Sequence, residues 1–360
     1  MNKKIAIIAV IVAIVIVGGG AYAALELNHH SSKGTPVTLS ETGSTLLYPL
    51  FNEWAANYTS AKITTQGTGS GTGISDAIEG TVVIGASDAF MTNALLAAHP
   101  NMLNIPIAIS AQYIAYNLPG LSGVHLTLSG PVIAGIYNNS IQYWDNNSIK
   151  ALNPGLDLPH KRIVPVYRSD GSGDTNMFTL FLSRSDSWWN STVGYGTSVN
   201  WPTNNASHGA PGNAGVVSLM QTTPYSIGYV AMTFTSSLES AGLGYAGLVN
   251  KAGNVVLPSV QNVSYAANQY LSQIPADGRI GIAFAPGATS YPIATFEYVI
   301  VQKTQPSQSV ASALKTFLTW AVSANDGSAN KYLAPLYLVP LPSSVVSQVT
   351  TPIIGQITAG

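Results

Sequence analysis

The sequence predicts an α/β protein, and three observations lead to that prediction. Apolar runs of strand length alternate with helical patterns from Val37 onward. The 360 residues supply enough chain for about two or three domains with sizeable cores, and 46% of them are apolar, an ordinary globular value. Strands that alternate with helices favour mostly parallel sheets, in which ligands bind where strands end and helices begin.

The elements of the first half follow one another in this way. "PVTLS" predicts a strand, and "STLLYPLFNEWAANY" predicts a helix with one apolar stripe, consisting of Leu47, Leu50, Phe51, Trp54 and Tyr58. "KITTQGTG" predicts a strand, "TGISDAIEG" a short helix and "TVVIGASD" a further strand. "LNIPIAISAQYIAYNL" is apolar over a length too great for one ordinary strand, and "VIAGIYNNSIQYWDNNSIKALNP" predicts helices.

The second half repeats the alternation. "RIVPVYRS" predicts a strand and "DTNMFTLFLSR" the helix after it. "SIGYVAM", "RIGIAFAP" and "TFEYVIVQ" predict strands. "SVASALKTFLTWAVS" and "SSVVSQVTTPIIGQI" predict helices that close the chain.

Composition excludes several functions. Charged residues make up 8% of the chain and the net charge is −1, so the basic field of a nucleic-acid-binding protein is absent. The low charge fits either lineage bias or an acidic extracellular medium. The chain has no Cys, and its six His show no metal-ligand spacing on a predicted helix, so we expect no metal site and no cofactor.

The N-terminus predicts the location. Residues 1–4, "MNKK", form a basic cytoplasmic end, and residues 5–25 contain no charge over a length that spans a bilayer. We interpret residues 5–25 as an uncleaved anchor that leaves the bulk of the chain on the extracytoplasmic face of the cell membrane; a cleaved signal segment is the alternative. Residues 26–36 predict a flexible linker. Six sequons fit an exported protein open to glycosylation, at Asn57, Asn138, Asn146, Asn190, Asn205 and Asn262.

Three strand-to-helix junctions share one polar character. They are "SETGSTLL", "QGTGSGTG" and "RSDGSGDT", at residues 40–47, 66–73 and 168–175. Ser, Thr and Gly before a helix can be ordinary caps, but three such junctions, one with an Arg, favour an anion site built on helix N-termini. The middle junction lacks the G-x-G-x-x-G spacing and a following Lys, which disfavours dinucleotide or NTP binding.

The remaining candidate is Asp88, at the end of the strand "TVVIGAS". Its carboxylate is either a cap for the helix that begins near Thr92 or a group that faces the same pocket as the three junctions. No catalytic residues are predicted, because the chain lacks a G-x-S-x-G elbow and its Ser candidates have no partnered His. A phosphate-ester hydrolase is a minor alternative to a binding protein.

The order of these segments resembles that of the substrate-binding proteins of ABC-type phosphate importers. The resemblance runs from about Val37 to Val349 and rests on "TGSTLLYPLFNEW", "QGTGSGTG", "IGASD", "YNLPG", "RSDGSGDTNMFT", "SIGYV" and "YPIATFEYVIV". It implies a two-lobed periplasmic-binding-protein fold of the type II-like class, with two crossover hinge strands. It also implies inorganic phosphate as ligand, an ABC-type membrane permease as partner and a monomeric protein. A binding protein for another tetrahedral oxyanion is the alternative.

The resemblance also implies which residues bind phosphate. They are Thr45, Leu46, Ser70, Asp88, Arg168, Ser172, Gly173 and Asp174. Asp170 would hold Arg168 in place, and Asp88 would accept the proton of the ligand. Asp174 stands where some relatives have Thr. It is either a helix cap that meets the ligand with its N–H alone, or a second carboxylate that favours the phosphate monoanion, so that binding weakens above neutral pH.

The resemblance finally implies the division into lobes. Lobe I comprises residues 37–114 and 290–360, and lobe II comprises residues 115–289. The crossovers would be "AYNLPG" and "SYPIATF", at residues 115–120 and 290–296. The cleft between the lobes would hold the site, with the first two helix starts and Asp88 on one wall and residues 168–174 on the other.

Overall fold

The computed structural model describes residues 36–202 and 206–360. Its strands are β1 (Thr38–Gly43), β2 (Lys62–Thr64), β3 (Ile84–Ser87), β4 (Met102–Tyr116), β5 (Thr127–Leu128), β6 (Val164–Arg168), β7 (His208–Ala210), β8 (Ser226–Ala231), β9 (Gly244–Tyr245), β10 (Gly247–Val249), β11 (Val255–Val256), β12 (Ala294–Gln302), β13 (Thr304–Gln305) and β14 (Thr358–Ala359). Seven of these strands have a counterpart among the apolar runs of the sequence, namely β1, β2, β3, β4, β6, β8 and β12.

Helices connect most of the strands. They are α1 (Tyr48–Asn57), α2 (Ser70–Glu79), α3 (Asn93–Ala98), α4 (Gly130–Tyr137), α5 (Asn147–Leu152), α6 (Gly173–Ser185), α7 (Ser187–Thr192), α8 (Gly212–Thr222), α9 (Thr235–Ser240), α10 (Val260–Asn268), α11 (Gln308–Ala321), α12 (Asn330–Leu333), α13 (Ser343–Val345) and α14 (Thr351–Gly355). A π-helical turn at Val346–Thr350 joins α13 to α14. The predicted α/β class is therefore confirmed.

The main sheet is mixed rather than mostly parallel. Its strand order is β2-β1-β3-β12-β4-β8-β6-β7, and β9 also pairs with β4. The flanks are parallel: β1 pairs with β2 and β3, and β6 pairs with β7 and β8. In the centre, β12 is antiparallel to β3 and β4, and β4 is antiparallel to β8. The alternation in the sequence predicted the flanks but carried no signal for the antiparallel centre.

Strand β4 is one continuous, fully buried strand of 15 residues. Its length had argued against a single strand, but β4 changes partners along its course. Residues Met102 to Ala111 pair with β12, and residues Gln112 to Tyr116 pair with β8. Because each half of β4 belongs to a different part of the sheet, the strand can be about twice the usual length.

One predicted strand is wrong. The segment "RIGIAFAP" at residues 279–286 forms no strand, although Ile282, Ala283 and Ala285 are buried. Phe284 has a φ of 56°, in the left-handed region, and its N–H donates to the carbonyl of Pro292 over 2.7 Å. This local turn interrupts any ladder, so the apolar side chains reach the core from an irregular segment.

The helical layer beside β1 encloses an aromatic cluster. Trp54 of α1 contacts Phe51 edge-on at 5.2 Å between ring centroids and Phe317 of α11 at 5.8 Å. The indole N–H of Trp54 donates to the carbonyl of Gly327 over 2.8 Å. The predicted apolar stripe of the first helix therefore faces this core, which fixes the start of α1 next to the end of β1.

Val37–Gly360 form one compact unit, and the lobe boundaries within it stay a prediction. The expected anchor at residues 5–25 lies outside the described residues. Within the described part of the chain, no helix has the length and apolarity that a bilayer crossing needs.

Candidate functional site

The carboxyl ends of β1, β3 and β6 converge on the helix starts that follow them. Gly43 ends β1 with a φ of 141°, and a Cβ there would lie 2.1 Å from the carbonyl oxygen of Ala86 in β3. A side chain at position 43 would therefore separate the two strands. The next residue, Ser44, donates its backbone N–H to the same carbonyl over 2.9 Å, which fixes the first junction against β3.

Asp88 follows β3, and its side chain contacts the first junction rather than the start of α3. Its carboxyl is 1% exposed, and it accepts from the Ser44 hydroxyl on Oδ1 and from the Ser70 hydroxyl on Oδ2 over 3.3 Å. The cap of α3 is Thr92, which accepts from the N–H of Leu95. Asp88 therefore has no capping role, and its carboxyl lies between the first and second helix starts.

The surroundings of Asp88 make its ionised form expensive. The pKa of Asp88 is raised from 3.8 to about 7, mainly by burial and next by the charge of Asp174. The opposing effect of the Arg168 charge is smaller than that of Asp174. The carboxyl therefore changes between acceptor and donor close to neutral pH, which is a feature expected at a functional site.

Arg168 ends β6 with its guanidinium 1% exposed. Its Nε donates to Oδ1 of Asp170 over 2.7 Å, and its NH1 donates to Oδ2 of Asp174 over 2.6 Å. Burial opposes the charge of Arg168, but the hydrogen bond to Asp170 and the charge of Asp174 hold its pKa above the ordinary value. The same contact keeps the pKa of Asp170 below its usual range although burial opposes this. The predicted Arg168–Asp170 pair is present.

Asp174 lies in the first turn of α6 without capping it. Ser172 is the cap, since its hydroxyl accepts from the N–H of Thr175. The Asp174 carboxylate instead accepts from Gln112 on Oδ1 over 2.7 Å, and from Asn213 on Oδ2 over 2.6 Å, beside the contact from Arg168. Of the two readings that the sequence left open, the helix cap is therefore wrong for the Asp174 side chain.

The second and third helix starts touch each other. The N–H of Gly71 in α2 donates to the carbonyl of Gly171 over 2.8 Å. A Cβ on Gly173 would lie 2.6 Å from the Ser70 hydroxyl and 2.6 Å from Cβ of Asp88. Gly173 is thus the residue that allows α6 to approach Asp88 closely, and its N–H, at the start of α6, has no partner within that helix.

The structure places the other predicted residues as follows. Thr45 accepts with its hydroxyl from the side chain of Asn213 over 3.0 Å, and Leu46 is fully buried behind it. The backbone N–H of Ser172 donates to the carbonyl of Thr197 over 2.8 Å, so only the hydroxyl of Ser172 is left as a donor. The sequence had assigned a free donor to Ser172 without specifying which group.

Several residues of the cluster were missed in the sequence. Gln112 and Asn213 hold Asp174, Ser44 holds Asp88, and Glu297 is buried nearby on β12. Asn213 follows the segment "HGAPG", residues 208–212, which runs from β7 into the start of α8 and could have been included with the three junctions as a further strand-to-helix junction. Gln112 and Glu297 interrupt otherwise apolar runs, a signal that is informative in a buried strand.

A cleft of about 380 Å³ lies beside the cluster. It is lined by Thr45, Tyr48, Gly67, Thr68, Asp170, Pro211, Gly212, Ala214 and Phe234. The lining includes both Asp170 and the Gly212 N–H that donates to it over 3.1 Å. In the part of the chain that the structure describes, no group of three or more acidic, His or Cys side chains could hold a metal ion. The arrangement suits a small anion that brings its own proton.

Comparison with known proteins finds binding proteins among the relatives of this chain. A model of the PBP superfamily domain matches residues 30–325. The chain is 35% identical over 316 residues to the phosphate-binding protein PstS of Pasteurella multocida, covering 87% of this chain and 88% of the relative. It is 32% identical over 338 residues to the PstS of Methanocaldococcus jannaschii, covering 88% and 85%.

A solved structure supports the fold. The phosphate ABC transporter substrate-binding protein of Clostridium perfringens, solved with bound phosphate, has a TM-score of 0.60 and 18% identity, with 85% of this chain and 100% of that chain covered. The mixed α/β fold described above is thus that of periplasmic phosphate-binding proteins. The relatives named here are binding proteins rather than enzymes.

Proposed function

The chain belongs to the family of phosphate-binding proteins PstS within the PBP superfamily, and from that premise we propose that it binds inorganic phosphate and delivers it to an ABC-type phosphate import permease. The observation that carries the proposal is the buried Arg168 guanidinium, held by Asp170 and Asp174 at the meeting point of α2 and α6. A fixed guanidinium beside helix N-termini is what a dehydrated phosphate requires.

We propose that the predicted residues form the phosphate site in specific roles. Arg168 donates with its free guanidinium hydrogens, and the hydroxyl of Ser172 donates from the start of α6. The Ser70 hydroxyl donates from the start of α2 when it exchanges its 3.3 Å bond to Asp88 for the ligand. The N–H groups of Thr45, Leu46, Gly173 and Asp174 complete the donors. Asp88 accepts the ligand proton, because an ionised carboxylate can only accept.

Asp174 is proposed as a second acceptor. Its Oδ2 already accepts from Arg168 and Asn213, but its Oδ1 accepts only from Gln112 among the side chains of the described residues. A second ligand proton can therefore be accepted on Oδ1, which favours the phosphate monoanion.

The proposed mode of action is closure of two lobes on the ligand. We place the division near Gln112, where β4 exchanges β12 for β8, a few residues before the predicted crossover at residues 115–120. Contacts from Gly71 to Gly171 and from Asn213 to Thr45 would then join the lobes in the closed form. The permease would recognise that form, and the protein would act as a monomer on the extracytoplasmic face of the membrane.

Titration of the full-length chain with phosphate and with sulfate tests this function. At pH 8, where Asp88 is mostly ionised, we expect phosphate to bind at least about a thousandfold more tightly than sulfate, because sulfate has no proton to offer Asp88. Asp88→Asn replaces an acceptor oxygen with a donor and should bring the two affinities at least tenfold closer. Glu79→Gln, an exposed carboxylate on α2, is the matched control. Equal affinities for both anions in the unaltered chain would refute a phosphate-specific function.

A further inference from the structure

Glu297 is a fully buried carboxyl in the middle of β12. The antiparallel register pairs Tyr298 with Ser87, so Glu297 comes opposite the next residue of that chain segment, Asp88. The register between β12 and β4 shifts at a bulge between Glu297 and Tyr298. A bulge re-aims the side chains around it, and bulges are frequent beside functional sites.

The two oxygens of Glu297 differ in their surroundings. Oε1 accepts from the hydroxyl of Ser110 on β4. Oε2 is buried and accepts no hydrogen bond from a donor among the residues that the structure describes. A buried carboxyl oxygen without a donor is costly as an anion but acceptable when it carries the proton.

The charges around Glu297 favour this protonated form. Asp88 follows β3, Asp174 lies on α6 and Arg168 ends β6; of these groups only Arg168 is basic, and it is already paired with Asp170 and Asp174. Burial and then the charge of Asp88 raise the pKa of Glu297 well above its ordinary value. Conversely, the contact with Glu297 lowers the pKa of Asp88 against the effect of burial. Of the two carboxyls, Glu297 is the one that holds the proton.

We propose that Glu297 is a positioning residue for phosphate selectivity: its protonated carboxyl donates to Asp88 and thereby keeps Asp88 ionised, as an acceptor for the proton of the ligand. This inference rests on the proposed phosphate function. Without the donor, Asp88 takes up a proton at higher pH and becomes a donor itself. A protonated Asp88 can donate a hydrogen bond to an oxygen of sulfate as readily as to an oxygen of phosphate, so discrimination between the two anions is lost.

Two variants of Glu297 separate this role from packing. Glu297→Gln keeps an N–H donor toward Asp88, whereas Glu297→Met keeps the volume and removes the donor. At pH 8, where Asp88 is mostly ionised in the original chain, we expect the ratio of phosphate to sulfate affinity to stay within about threefold of the original in the Gln variant and to fall about ten- to a hundredfold in the Met variant. At pH 9 the Met variant should recover most of the ratio, because Asp88 is then ionised without help.

Equal ratios in both variants at every pH, whether retained or lost, would overturn the inference, because packing alone does not distinguish a donor from a thioether. A measurement on the unaltered chain covers the case in which the Met variant fails to fold. The carboxyl carbon of Glu297, assigned by NMR through Glu297→Gln, should keep the chemical shift of a protonated acid above pH 7; a transition near pH 4.5 overturns the inference. An unaltered chain that binds no phosphate would instead refute the function on which the inference rests.

Discussion

Replacing Arg168 with Met is expected to remove measurable phosphate binding and to lower the free energy of unfolding by about 3–5 kcal/mol at pH 7. The guanidinium is 1% exposed and is shared by Asp170 and Asp174. Its loss leaves the Asp174 carboxylate buried, with amide donors but no opposite charge. Two charge-assisted hydrogen bonds to the ligand also disappear, which corresponds to about a hundred- to ten-thousandfold in affinity.

The pH dependence of the stability loss identifies its cause. Because Arg168 lowers the pKa of Asp170, the stability that this pair contributes is lost as the pH falls below about 4, so the difference between the variant and the original chain should become smaller there. Denaturant unfolding at pH 3 and pH 7 measures this, and calorimetry measures binding where the variant is folded. Arg162→Met, an exposed position just before β6, is the matched control and should change neither quantity. A stability loss that is equal at both pH values would contradict the ion-pair explanation.

Replacing Glu41 with Gln is expected to stabilise the protein above neutral pH. Glu41 lies in β1 with 2% exposure, and neither of its carboxyl oxygens has a hydrogen-bond partner among the described residues. Burial raises its pKa from 4.5 to about 8, against a smaller opposing effect of the backbone at Gln66. The folded chain therefore holds a proton that the unfolded chain releases.

The sign of the effect follows from this difference. The contribution of Glu41 is fully present below about pH 4.5 and is lost as the pH rises to about 8, by roughly 1.4 kcal/mol per pH unit. Asp88 and Glu297 act in the same direction, since burial also raises their pKa values. Glu41→Gln should thus reduce the decline in stability by several kcal/mol without abolishing it.

Denaturant unfolding of the Glu41→Gln variant between pH 4 and pH 8 provides the measurement. Glu53→Gln, an exposed carboxylate on the neighbouring helix α1, is the control and should leave the slope unchanged. A parallel decline in the original chain and in Glu41→Gln would show that Glu41 is ionised in the folded state. The expected decline is consistent with the acidic medium that the low charge content suggests.

The sequence predicted the parallel flanks and the helix starts that meet at the candidate site, because both depend on local patterns. Strand periodicity located β1, β3 and β6, and the Gly- and Ser-rich ends of β1, β2 and β6 located the helix starts. The pairing of Arg168 with Asp170, which the resemblance implied, joins two positions in the same turn. Such features are set by neighbouring residues, so a single sequence contains them.

The rest could not be predicted because it depends on contacts between distant segments. Gln112 donates to Asp174, which is 62 positions away in the sequence, and Ser110 donates to Glu297, which is 187 positions away. Whether Asp174 caps α6 is decided by Gln112 and Asn213, which lie on other elements. The length of β4 likewise depends on β12 and β8, two partners that nothing in its own sequence specifies.

The structure of the full-length chain crystallised with phosphate tests the proposed site most directly. We expect one phosphate within hydrogen-bond distance of the Arg168 guanidinium, the Ser70 hydroxyl and the N–H of Gly173, with one of its oxygens against the Asp88 carboxyl. A second phosphate oxygen within about 3 Å of Oδ1 of Asp174 would support the second acceptor, and a separation too great for a hydrogen bond would refute it. Phosphate bound elsewhere, with the contacts of Arg168 to Asp170 and Asp174 unchanged and no anion beside them, would contradict the account.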